Sequence, residues 1–97
     1  MLRHIILLRW TPGATDAQKR SAEAAFRALP AEIGHIRALA CGPDLALSDG
    51  AHDFAAVLDF DDADAWRAYQ EHPAHQRLVA DLIKPILAER AAIQFDV

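Results

Sequence analysis

The sequence holds a single cysteine, Cys41, among its 97 residues. A lone thiol closes no internal disulfide and brings no second sulfur to a metal site, so Cys41 is expected to be inert core. Glycine is scarce, at four residues, and none sits in a Gly-rich phosphate-cradling loop. There is no Ser-centred nucleophile elbow and no Cys–His pair in a catalytic context. The acidic run "DFDDADAW" lacks the glycine and the closing glutamate of a calcium loop. Long apolar runs are also missing. The longest near the start, Ile5–Leu8 in "MLRHIILLRW", spans four residues between arginines, too short for a membrane span or a signal sequence. A cytoplasmic protein with no membrane partner is therefore expected. Positive charge is in deficit, with 10 basic against 14 acidic residues and a net charge of −4, which argues against nucleic acid as a partner.

What is present is a globular composition: 53% hydrophobic and 25% charged, with alanine supplying 21 of the hydrophobic residues. The length fits one domain over residues 1–97. Leu2–Trp10 is dense in large and β-branched residues and runs into "TPG", a strand followed by a turn. "TDAQ" at 15–18 is a capping box. It opens a helix whose stripe is Ala22, Ala25, Phe26, Leu29 and Ile33, with Pro30 and Gly34 marking its end. Strands follow at 35–42 and 53–60, separated by a loop. Aspartates 61, 62 and 64 crowd the start of a second helix, where the macrodipole favours negative charge. That helix carries Trp66, Tyr69 and Gln70, stops at Pro73 and is followed by another. "AAIQFDV" closes the chain as a fourth strand. The order β-α-β-β-α-β predicts an α+β, ferredoxin-like antiparallel sheet with helices on one face.

Both faces of that sheet are apolar. His4, Ile6, Leu8 and Trp10 alternate with Ile5 and Leu7 in the first strand, and Phe54, Ala56, Leu58 and Phe60 alternate with Ala55 and Val57 in the third. Helices cover only one face, and a soluble monomer rarely exposes an apolar patch of that size. A homodimer packed sheet to sheet is expected.

The stretch "AYQEHPAHQ" at 68–76 gathers Tyr69, His72 and His75 around Pro73. Advancing 100° per residue from His75 places Leu78, Val79, Leu82 and Ile86 within about 60° of it. His75 therefore heads the apolar stripe that faces the sheet, where His4 shares a face with Ile6 and Leu8. Buried histidines and a tyrosine hydroxyl need hydrogen-bond partners or a ligand. They serve either as satisfied core residues bonded across the helix joint or as a site. His72 reads as the joint or cap residue, and His35 and His52 as surface. The spacing of His72 and His75 around a proline, without a third ligand, argues against zinc, and no metal is expected.

"RHIILLRW" followed by "PGAT", the central "DFAAVLDFDDADAWRAYQEHPAHQRLV" and the closing "FDV" together resemble the stress-responsive α/β-barrel (Dabb) domain family. The resemblance runs the length of the chain, and "YQEHPAH" is its most specific element. It implies a protomer that dimerises into an α/β barrel, with a pocket between sheet and helices. It also implies a possible chemistry. A plant polyketide cyclase of the family performs a cofactor-free aldol cyclisation followed by loss of a thioester. Its catalytic tyrosine and histidine match Tyr69 and His75, and its pocket strand histidine matches His4. By resemblance His75 is a general base and Tyr69 donates to an oxyanion or enolate. Ile6, Leu8, Phe26 and Leu78 are expected to meet a small hydrophobic carbonyl or aromatic ligand, along with Ala56, Leu58 and Trp66. Phe26 stands where that cyclase has a further tyrosine. No cofactor is expected. The other readings are a non-catalytic stress-response dimer with a residual pocket and a cofactor-independent monooxygenase on a related scaffold, against which "HPAH" favours the Dabb branch.

Overall fold

A computed structural model describes all 97 residues, Met1–Val97. The chain runs β1 (Leu2–Trp10), α1 (Asp16–Glu32), β2 (Ala38–Pro43), β3 (Phe54–Phe60), α2 (Ala63–Glu71), α3 (Pro73–Arg77) and β4 (Leu87–Asp96). The four strands form one antiparallel sheet in the order β2-β3-β1-β4. This is the predicted ferredoxin-like arrangement.

The helix starts follow the chemistry of their caps. The Thr15 hydroxyl accepts from the Gln18 amide while the Gln18 side chain accepts from the Thr15 amide, completing the capping box. Asp62 caps α2 by accepting from the Ala65 amide at 2.9 Å. His72 caps α3, its Nδ1 accepting from the Ala74 amide at 3.0 Å, with Pro73 in the first turn where no N–H is needed.

Three boundaries depart from expectation. Pro30 lies inside α1, which continues to Glu32; so near the helix end, its missing N–H forfeits a single ladder bond. β2 begins at Ala38 rather than at His35. After α3 the backbone widens into a π-helical stretch, Leu78–Ile83, and tightens into a 3₁₀ turn, Lys84–Ile86, before β4 starts at Leu87, four residues before Ala91. Pro85 accounts for the irregularity, since an α-helix there would lack one donor and clash with the preceding turn.

Alternation sorts the sheet into two faces. On the face under the helices, Leu8, Ala56, Leu58 and Phe60 are at most 1% exposed, and they pack with Phe26, Leu29 and Tyr69 into one core. His4 is the one polar residue among the buried side chains. The other face carries Ile5, Leu7, Ala55 and Val57 with Ile93 and Phe95 of β4, of which Leu7, Ile93 and Phe95 are exposed. Cys41 is half-buried on β2 rather than in the core, because β2 is an edge strand, and partial burial raises its thiol pKa. No helix is long and apolar enough to cross a membrane.

Leu58 is fully enclosed, so Leu58→Ala should cost about 2–5 kcal/mol through lost burial and the cavity left behind. Urea unfolding at fixed protein concentration measures it. A loss below about 1 kcal/mol would show that this layer is not the core.

Candidate functional site

The break at His72–Pro73 turns α3 away from the axis of α2, and the side chains on either side of it meet. The Tyr69 and His75 rings lie 4.4 Å apart between centroids. His75 Nδ1 is 3.1 Å from the Gln70 carbonyl. A carbonyl only accepts, so Nδ1 carries the proton and Nε2 keeps its lone pair. No protein group bonds Nε2. Burial lowers the His75 pKa below its ordinary value, the Gln70 bond opposes the shift, and the nearby Arg90 charge adds to it. The ring is therefore neutral near pH 7, with Nε2 as a base.

Tyr69 is fully enclosed, with its ring 5.0 Å from Phe60 and 6.1 Å from His4. Burial drives its pKa upward, so the phenol keeps its proton. Its hydroxyl has no hydrogen-bond partner in the protein, and neither do His4 Nε2 and Trp66 Nε1. The amide nitrogen of Gln94 donates to His4 Nδ1 at 2.8 Å, which puts the His4 proton on Nε2. Trp66 stands edge-on to His4 at 5.9 Å. Three buried N–H or O–H groups thus lack acceptors, and each such group costs about 1–3 kcal/mol while unpaired.

A cavity of about 260 Å³ opens beside these groups, between the sheet and α3 with its π-helical continuation. Of the residues expected from sequence, Ile6, Leu8, Phe26, Tyr69, His75 and Leu78 line it. His4 and Trp66 stand behind Tyr69, in contact with its surroundings rather than on the wall. Ala56 and Leu58 do not reach the wall either. They face the same side from β3, across from Ile6 and His4, and are sealed in the core. Phe26 turns its ring against Phe54 at 5.3 Å. Sequence reading missed Lys84 and Arg90, which also line the cavity. Their signal was the alternation Arg90, Ala92, Gln94, which shares a face with Leu8, Ile6 and His4 once β4 is extended back to Leu87.

A larger groove of about 520 Å³ runs along Leu7, Leu45, Leu47 and Ala55 on the opposite side of the sheet. It is more open, and its titratable groups are only Asp44 and His52. No three His, Cys, Asp or Glu side chains come together as a metal cluster would require.

Burial, followed by the charges of Arg90 and His75, lowers the His4 pKa from 6.5 to about 4. Between those values the unfolded chain binds the proton and the folded chain does not. Stability from this group is complete above pH 6.5 and is lost as pH falls towards 4. A ring-proton NMR titration should show His4 neutral down to about pH 4. A midpoint at or above 6.5 would contradict its enclosure.

The fold has counterparts in known proteins. An uncharacterised protein of Streptomyces coelicolor is 39% identical over 82 residues, covering 82% of this chain and 84% of that one. A crystal structure of a dimeric ferredoxin-like protein of unknown function from Thermobifida fusca superposes with a TM-score of 0.91 at 44% identity, over 99% of this chain and 90% of that one. The hydroxynitrile lyase of Passiflora edulis shares the fold, with a TM-score of 0.86 at 14% identity over 97% and 90% of the two chains. The family model of the stress responsive A/B barrel domain matches residues 2–97, and this chain belongs to that family.

Proposed function

We propose that this protein is a homodimer whose protomers each bind a small hydrophobic carbonyl compound and act on it by cofactor-free acid–base chemistry. The observation that carries the reading is the pairing of a free His75 Nε2 with an unpartnered Tyr69 hydroxyl beside an apolar cavity. One group is a neutral base and the other a protonated donor, as removal of a proton next to a carbonyl requires. In this reading Nε2 takes the proton from the carbon, and the electron pair moves onto the carbonyl oxygen. Tyr69 donates a hydrogen bond to that oxygen, and the proton returns from His75 to the product carbon or oxygen. Both groups can stay in the needed protonation states near neutral pH because burial moves their pKa values in opposite directions.

One observation favours the non-catalytic reading: Tyr69 is fully enclosed, as a tyrosine wedging α2 against the sheet would be. Exchange of α-protons for deuterium in an aryl ketone such as phenylacetone, followed by NMR, separates the two. Wild type should accelerate exchange. His75→Ala should lose about 10²–10⁴ of that rate and Tyr69→Phe about 10² or more, with circular dichroism unchanged. Exchange as fast in His75→Ala as in wild type would remove the catalytic role.

The dimer is supported by the uncovered face of the sheet. Only 18 of 97 residues are buried in the protomer. The outer face has an apolar centre at Ile5, Leu7, Val57 and Ile93, bounded by Arg3–Asp59 at 2.9 Å and Arg9–Glu89 at 3.1 Å. An apolar centre inside a charged rim is the anatomy of a protein interface, and the Thermobifida fusca relative is dimeric. Sedimentation velocity should show wild type as a dimer and Leu7→Asp as a folded monomer. A dimer that survives the substitution would place the interface elsewhere.

A further inference from the structure

We infer that the ligand of this cavity is a carboxylate: an amphiphilic monoanion with an apolar body, its acid group held by Arg90 and Lys84. The inference rests on the cavity being a ligand site, as proposed above, and concerns the charge of what enters it.

The polar groups on the cavity wall are Tyr69, Gln70, His75, Lys84 and Arg90, and no carboxylate is among them. Elsewhere the protein pairs its arginines readily: Arg3, Arg9, Arg27, Arg37 and Arg67 all have acidic partners. Lys84 and Arg90 have none; Lys19, Arg20 and Arg77 also lack one, but they do not line this cavity. Two cations without acidic partners on the wall of one apolar cavity, in a protein of net charge −4, form a local field opposed to the global one. Such a field selects an anion at that point without drawing anions to the rest of the surface.

Backbone geometry places both residues beside the cavity. Arg90 stands across from Leu8 on the helix-covered face, two residues from Ala92 opposite Ile6 and four from Gln94 opposite His4. Lys84 opens the 3₁₀ turn that feeds β4. Glu89, the acid adjacent to Arg90, points to the other face, where it holds Arg9. The positive charge of Arg90 is felt at His4, Tyr69 and His75 alike, which sets it near the catalytic pair rather than on remote surface. Arg90 is solvent-exposed, so a carboxylate can reach its guanidinium from the mouth while the apolar body lies against Ile6, Leu8, Phe26 and Leu78. The planar guanidinium matches a carboxylate in two parallel bonds, and Lys84 adds a point charge.

Three probes of one shape test this: 2-naphthoate, 2-naphthalenemethanol and 2-naphthylmethylamine, bound to the 97-residue protein and followed by calorimetry. The acid should bind about tenfold more tightly than the alcohol, with the amine weakest. Raising salt should shrink the advantage. Arg90→Gln should remove most of the acid's advantage over the alcohol and Lys84→Gln a smaller part, and the double variant should bind acid and alcohol alike. Equal binding of acid and alcohol to wild type would overturn the inference and leave the ligand-site reading standing. So would an advantage that persists in the Arg90→Gln/Lys84→Gln double variant. If none of the three binds, the ligand-site reading falls and this inference falls with it.

Discussion

A four-stranded sheet with apolar residues on both faces, and helix enough to cover only one, is the constraint from which the rest of this protein follows. The covered face must be filled by α1, α2, α3 and the irregular stretch after them. Alanine is abundant in those helices, and small side chains let helices approach the sheet without filling every gap. The cavity lies where the covering is least regular, between Leu78, Val79 and Ile83 of the π-helical stretch and the strands beneath. The uncovered face keeps its apolar centre available to a second copy. Pocket and interface are thus two outcomes of one imbalance between sheet and helix.

The joint between α2 and α3 turns that gap into a site. A continuous helix would space Tyr69 and His75 six residues apart and point them to different sides. His72 spends its ring on the Ala74 amide, Pro73 removes a donor, and the helix restarts at a new angle. The Gln70 carbonyl at the end of the first helix then receives His75 Nδ1–H. One bond caps a helix end and selects the tautomer that leaves Nε2 free. A motif that looks like a catalytic cluster is therefore partly architecture: His72 builds the joint, and His75 uses it.

The fold was legible because its signals are local and mutually consistent: a capping box at Thr15, acids before α2, and period-2 alternation in β1 and β3. The inward side of Tyr69 and His75 was legible for the same reason, from helical spacing. What stayed hidden depended on pairing between distant segments. "PILAER" carries no strand alternation of its own. Its last four residues become strand because Leu87–Arg90 lie beside Trp10–Leu8 at the sheet edge, a context that overrides local preference. That register brings in Arg90 and gives Gln94 its bond to His4. Ala56 and Leu58 show the converse error: the correct face was read, but their depth was not, because parity says which side a residue faces and not how far the wall lies from it.

Electrostatics inside the site divides the labour among its polar groups. His4 is kept neutral by enclosure and by the charge of Arg90, and its Nδ1 is occupied by Gln94, so it can act only as a donor through Nε2. Tyr69 and Trp66 present further hydrogens. His4 and Trp66 stand behind Tyr69, so the cavity wall itself carries the Tyr69 hydroxyl, two cations and the free His75 Nε2, and no carboxylate. Under the proposed ligand reading, such a lining would disfavour cationic ligands by charge and would suit an apolar compound that brings acceptor oxygens, one of them as part of a charged group. Of the three buried groups without a protein partner, the Tyr69 hydroxyl is the one on the cavity wall, so the atom that costs stability while unpaired is also the one a ligand oxygen would meet in the proposed reading.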